Sequence, residues 1–189
     1  IMPLAPHCDP AKVHLLEADS HKPDAACAEY GRSVLAQGPD LQLKGLGENG
    51  HWSFHEPGLP IDGEPAFIKV RLSEENVAQQ MRDHPLLFGS PDAVPKEAYT
   101  GNVPLFLRTR RLIEENVPQP SKAFALLAAY GSEVVDACVP SSALKRHPNA
   151  VVRTTESAAW ALLEYRRMGV VKAESLRRLV TALLPDTEG

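Results

Sequence analysis

The chain has 189 residues, 43% of them hydrophobic, and carries 20 Lys and Arg against 24 Asp and Glu, a net charge of −4. This is enough apolar material for a packed core in one domain, or in a main domain with a small appendage, and it excludes disorder over most of the length. The acidic balance argues against a binder held by nucleic-acid phosphates, no apolar run reaches the roughly 20 residues of a membrane-spanning helix, and Ile1 to Pro6 has neither the charge nor the length of a signal peptide.

Seventeen prolines and 12 glycines concentrate at residues 57–65, 85–104 and 118–120, which divides the chain into short elements joined by stiff loops. In chain order, Asp9-Pro10 predicts a short helix through Leu16, and Pro23 opens a second helix that Gly38 closes. Residues 41–44, 51–55 and 66–72 read as strands, the last with Phe67, Lys69 and Arg71 on one face and Ile68, Val70 and Leu72 on the other. Together they predict a three-stranded antiparallel sheet. Ser73 followed by Glu74 and Glu75 starts a helix that ends at His84-Pro85. Pro104 starts another to Asn116, and Ser121 to Cys138 reads as a helix interrupted by Gly131. A last helical pair covers Thr155–Met168 and Ala173–Leu184, separated by Gly169, with Leu176, Leu179, Val180, Leu183 and Leu184 at helical spacing.

The expectation is an α+β fold: a predominantly helical domain with a small antiparallel sheet over about residues 41–72, packed against a C-terminal helical bundle. A single domain 1–189 is expected, with a possible division into an acidic 1–100, of charge −7, and a mildly basic 101–189, of charge +3.

The run Gly45-Leu46-Gly47-Glu48-Asn49-Gly50 has the G-x-G-x-x-G spacing of phosphate-binding loops. A dinucleotide site needs a helix directly after the glycines, because the helix N-terminus holds the pyrophosphate. Here aromatic residues and Pro57 follow, so that reading fails and a glycine-rich loop joining two strands remains. With Ala66-Phe67-Ile68-Lys69-Val70 further on, the segment resembles the nucleotide-covering loop and lysine strand of protein kinases. That resemblance implies ATP and Mg²⁺ as ligands, with Gly45, Gly47, Gly50 and Lys69 around the phosphates and Glu74 or Glu75 holding Lys69. The H-R-D and D-F-G aspartates that kinase chemistry requires are missing.

His51, His55 and Glu56 suggest metal ligands, but in a strand the two imidazoles stand about 13 Å apart, beyond a shared ion. His7, Cys8, Asp9 and His14 match no ligand spacing, so no metal is expected. The three cysteines, Cys8, Cys27 and Cys138, are odd in number and far apart, which points to a reducing, cytoplasmic compartment or delivery into one. Cys27 and Cys138 fall on apolar helix faces, and a Cys/His pair such as Cys8 with His84 or His147 has no support from spacing. The G-x-S-x-G, H-E-x-x-H, Walker and calcium-loop motifs are absent.

Two arginine groups remain, Arg108/Arg110/Arg111 and Arg177/Arg178. Leu176 to Leu183 resembles the arginine-finger segment of secreted bacterial Rho-GTPase activators, which implies an arginine that stabilises a transferring phosphate. The main expectation is a soluble recognition module, an adaptor, regulatory domain or bacterial effector, that meets an acidic protein surface through a basic helical face carrying Arg108, Arg111, Arg177 and Arg178. It needs no cofactor, and the nucleotide-binding kinase-like reading stands as the enzyme alternative.

Overall fold

A computed structural model describes residues 9–17 and 21–174. In chain order its elements are α1 (Pro23–Gln37), β1 (Leu41–Lys44), β2 (Phe67–Arg71), α2 (Glu74–Asp83), β3 (Glu97–Gly101), α3 (Val103–Phe106), β4 (Leu112–Val117), α4 (Ala123–Tyr130), β5 (Ala150–Thr154) and α5 (Glu156–Met168). Single turns of 3₁₀ helix at Pro10–Lys12, Pro91–Ala93 and Pro120–Lys122, and a longer one at Pro140–Arg146, fill several connections.

The local signals explain most helix ends. Pro23 suits the first turn of α1, because its fixed φ and missing N–H cost nothing there, and Gly38 at φ 63° ends it. The Ser73 hydroxyl accepts the Asn76 N–H at the start of α2, with Glu74 and Glu75 in the first turn. Thr155 caps α5 through the Ala158 N–H, and Gly169 stops it in the left-handed conformation.

The α+β class holds, but the architecture differs from the expectation. β1, β4 and β5 form a parallel sheet in that order, pairing Leu41 with Leu112 and Lys44 with Glu115, then Ile113 with Ala150 and Val117 with Thr154. β2 pairs antiparallel with β3 in a separate two-stranded sheet. The predicted antiparallel sheet over residues 41–72 is therefore replaced by two sheets, because β1 finds its partner about 70 residues downstream. Residues 51–55 are a tight turn in which Trp52 and His55 exchange backbone hydrogen bonds across Ser53, at φ 56°. The predicted helix over 104–116 is one turn, α3, followed by β4, and the helix predicted to run to Cys138 ends at Tyr130. In place of a helical bundle, α4 and α5 pack on each other and on the parallel sheet. The predicted helix over 173–184 lies outside the described residues save for its first two positions.

Two apolar clusters fasten these layers together. Trp52, Ile61, Val103, Ile113, Ala143 and Leu144 fill one; Leu46, Val117, Ala125, Leu126 and Ala158 fill the other, between β4, α4 and α5. On the other face of the sheet Leu41 and Leu43 are exposed, as is Val151 at the edge of β5. Among the described residues no helix is long and apolar enough to cross a membrane. Leu126 is fully buried in the second cluster, so Leu126→Ala is expected to lower unfolding free energy by about 2–5 kcal/mol with an unchanged denaturant m value.

Candidate active site at the carboxyl ends of the parallel strands

β1 and β4 are parallel neighbours, so the chain leaves both at the same edge of the sheet. That edge is where open α/β sheets bind ligands, since the loops after successive strands converge there. The chain leaving β1 supplies residues 45–56; the chain leaving β4 supplies Lys122 at the start of α4. Two segments far apart in sequence thus share one corner.

Within the first segment, three side chains form a relay. Glu56 is buried and accepts from Asn76 Nδ2 at 2.6 Å, the Ser73 N–H at 3.2 Å and Asn49 Nδ2 at 3.1 Å. Because the carboxylate accepts, the Asn49 amide must turn its NH₂ toward Glu56 and its oxygen away. That oxygen receives the His51 N–H at 3.1 Å and lies 2.7 Å from His51 Nδ1. Nδ1 therefore carries the proton and donates, which leaves Nε2 with a free lone pair. The relay fixes both the tautomer and the ring plane of a potential acid–base group.

The glycines make this approach possible. A Cβ at position 47 would run into the ring of His51, and Gly50, at φ 84°, would bring a Cβ within 2.8 Å of Val139. The G-x-G-x-x-G spacing here clears space for an imidazole and turns the chain. The loop leaves a parallel strand and enters a turn, so it joins no hairpin.

Electrostatics set the state of the imidazole. Burial, reinforced by Lys122 and Lys44 and opposed by Glu56 and Asp83, pushes His51 down to about 4, so the ring is neutral at pH 7. Lys122 is also buried, and its ammonium has no hydrogen-bond partner among the described residues; Glu48 Oε1 lies 3.7 Å away. Burial pulls its pKa down while Glu48 and Asp83 pull it up. A buried cation without a hydrogen bond is costly, and an anionic ligand would satisfy it. Beneath the loop, Lys44 and Glu115 form a buried ion pair that also engages Tyr130 and Ser141.

An open cleft of about 720 Å³ borders the relay on the side of Asn49, Glu56 and Ser73, and Lys69, Glu75 and Cys138 also line it. Gly45 is exposed and Gly47 and Gly50 are buried. Lys69 reaches across the β2–β3 sheet to pair with Glu97 at 2.7 Å, where the kinase resemblance would place it against Glu74 or Glu75. The physical reason is that β2 belongs to the other sheet and does not follow the glycine loop as a paired strand. Glu74 and Glu75 are exposed in the first turn of α2.

Arg108 lies in the turn after α3, while Arg110 and Arg111 both pair with Asp40, so the expected basic helical face does not form in this segment. Arg177, Arg178, His7 and Cys8 lie outside the described residues. Cys27 is buried and Cys138 exposed, both as free thiols. The sequence reading set His51 and Glu56 aside as unfit to share a metal and passed over Asn49 and Lys122. The visible signal for the Asn49, His51 and Glu56 group is the glycine run followed at once by His51 and then by Glu56; nothing local marks Lys122.

No protein-family model matches the chain. Among curated proteins, a glucosamine-6-phosphate deaminase of Shouchella clausii is 32% identical over 149 residues, covering 78% of this chain and 57% of the relative. One from Lactobacillus delbrueckii subsp. bulgaricus is 34% identical over 136 residues, 71% of this chain and 54% of the relative. One from Rhodopirellula baltica is 33% identical over 159 residues, 84% and 60%. The chain is similar to glucosamine-6-phosphate deaminases. It spans somewhat more than half the length of these relatives.

Among solved structures, a monomeric glucosamine-6-phosphate deaminase described as a missing link of the NagB superfamily superposes with a TM-score of 0.72 and 29% identity, over 80% of this chain and 60% of that one. A 6-phosphogluconolactonase from Trypanosoma brucei shares the fold, with a TM-score of 0.52 and 17% identity over 80% and 57%. These similarities to enzymes overturn the expectation of an adaptor, effector or regulatory module with an acidic protein partner, and with it the kinase-like and GTPase-activator alternatives. Basic charge in the second half of the chain had suggested a docking face, whereas Arg110 and Arg111 are spent on Asp40.

Because folded His51 holds its proton only near pH 4 while the unfolded chain takes one up near 6.5, its contribution to stability is present above 6.5 and is lost as pH falls towards 4. Between pH 7 and 5 this amounts to a loss on the order of 2 kcal/mol, which His51→Gln should remove from the pH dependence measured by urea unfolding. Gly47→Ala is expected to displace the ring, with two-dimensional NMR showing changed His51 ring-nitrogen shifts in a protein that remains folded.

Proposed function

We propose that the chain carries the acid–base and anion-binding side of an active site that deaminates an amino sugar phosphate of the glucosamine-6-phosphate type. The observation that carries this reading is the His51 imidazole, neutral and held in one tautomer by Asn49 and Glu56, near the buried Lys122, whose ammonium meets only Glu48 in a loose ion pair at 3.7 Å. The likeness to deaminases of that substrate supports it.

The chemistry suits these groups. Loss of the C2 amine from an aldose phosphate begins with ring opening, which moves a proton between the anomeric hydroxyl and the ring oxygen. Transfer of the C2 proton to C1 then yields a C2 imine, and water hydrolyses it to a ketone and ammonia. Each proton transfer needs a positioned group that is unprotonated at neutral pH, so that it can take the proton, and a partner that orients it. His51 Nε2 meets both conditions, with Asn49 and Glu56 as the orienting pair; Lys122 at the head of α4 would receive the phosphate as a charge-assisted partner. The steps are proton transfers and a hydrolysis, so no metal or organic cofactor is required. Free Cys27 and Cys138 support a reducing, cytoplasmic setting.

Ammonia release from glucosamine 6-phosphate, followed by a coupled reductive assay, tests the reading, with calorimetric titration of the same sugar phosphate alongside. Release is expected, with His51→Gln lowering kcat by about 10²- to 10⁴-fold. Lys122→Ala should raise KM by about tenfold or more while leaving unphosphorylated glucosamine as poor a ligand as before. A folded protein that neither releases ammonia nor binds the sugar phosphate would overturn it.

A further inference from the structure

Beneath the relay lies a second polar network that the reaction does not touch. Lys44 Nζ forms an ion pair with Glu115, and both side chains are almost wholly buried, at 4% and 0% exposure. The same ammonium donates to Ser141 Oγ at 3.2 Å and lies 4.4 Å from the ring centroid of Trp52, which is itself fully buried and stacked on Phe106. Tyr130 donates its hydroxyl to Glu115 at 2.5 Å.

The network ends on the catalytic loop. Ser141 Oγ donates to the His51 carbonyl at 3.1 Å, and the Ser141 N–H donates to the Gly50 carbonyl at 3.0 Å. Ser141 and Lys44 thus reach the loop bearing His51, Ser141 by two hydrogen bonds and Lys44 through Trp52, while Glu115 anchors Lys44 from β4. Burial lowers the Lys44 pKa and Glu115 raises it. Ordinary packing does not call for this arrangement, since an isosteric apolar pair in place of a buried ion pair is often neutral or stabilising.

We infer that Lys44, Glu115 and Ser141 are positioning residues for His51: the buried pair holds the Ser141 hydroxyl against the His51 backbone and so sets where the imidazole stands over the site. The inference rests on the acid–base role proposed for His51. Its main readout, the titration of that imidazole, is independent of any turnover. Burial is the main cause that holds the ring neutral; of the charged groups acting on it, Lys122 and Lys44 add to that effect and Glu56 and Asp83 oppose it, so replacing Lys44 and Glu115 together both loosens the buried loop and removes one cation.

The decisive variant is the double replacement Lys44→Met with Glu115→Leu, because either change alone leaves an uncompensated buried charge and can unfold the protein. Ser141→Ala, a small change at a fully buried site, cuts the link to His51 while leaving the ion pair in place. In the double variant, at a Tm equal to or above that of the parent, the His51 imidazole measured by NMR should rise from about 4 toward its ordinary 6.5. In Ser141→Ala the amide of Ser141 and the loop around His51 should exchange hydrogen faster, and kcat should fall on the order of tenfold to a hundredfold with KM little changed. A double variant with unaltered His51 titration, together with a Ser141→Ala protein of parental loop exchange, would overturn the inference. Positioning lost without detectable ammonia release in the parent would leave it standing and count against the deaminase reading alone.

Discussion

The buried pair of Lys44 and Glu115 is the interaction on which this structure turns. It crosses from β1 to β4 at a paired register position and puts an ammonium under Trp52, and through Ser141 it reaches the loop after β1. Two charges taken out of water gain nothing unless each finds its partner at close range, so the pair tolerates a single alignment of the strands. A shift of one residue would turn Lys44 to the outer face and strand Glu115 in an apolar layer. The register of the sheet and the position of the functional loop are therefore set by one contact.

From that fixed edge the site follows with few further requirements. The loop has to bring an imidazole flat against its own backbone, which position 47 allows only without a Cβ, and to reverse direction at Gly50. Glu56, placed by the turn at residues 52–55 and held from the far side by the head of α2, orients Asn49 and through it His51. Ser73 serves twice here, as the cap of α2 and as an acceptor for Asn49. The hydroxyl that caps the helix also braces the loop that carries His51.

The electrostatic arrangement keeps the His51 imidazole neutral at pH 7. Burial is the main cause that keeps the imidazole unprotonated, and two buried ammonium groups, Lys122 and Lys44, add to it. One of them is satisfied by a carboxylate and the other by no hydrogen bond among the described residues. Lys44 meets its carboxylate at hydrogen-bond range, whereas Lys122 meets Glu48 only at 3.7 Å.

The sequence by itself determined what short-range chemistry decides. Pro23 with Gly38, Ser73 with its two glutamates, and Thr155 with Gly169 were enough to place α1, α2 and α5, and the alternation at 67–71 was enough to place β2. Only the tertiary structure decided which strands pair, since β1 and β4 lie some 70 residues apart and neither carries a local signal for a parallel partner. It also decided which face of β1 is inside: alternation in Leu41-Gln42-Leu43-Lys44 points to buried leucines, yet both are exposed and Lys44 is buried, because Glu115 waits on the neighbouring strand. The functional corner was half legible. Gly47, His51 and Glu56 stand within ten residues and could be seen together, but a strand reading held the two histidines apart and hid the turn. Lys122 could not be seen as their neighbour, because nothing local to residue 122 records that β4 ends beside β1.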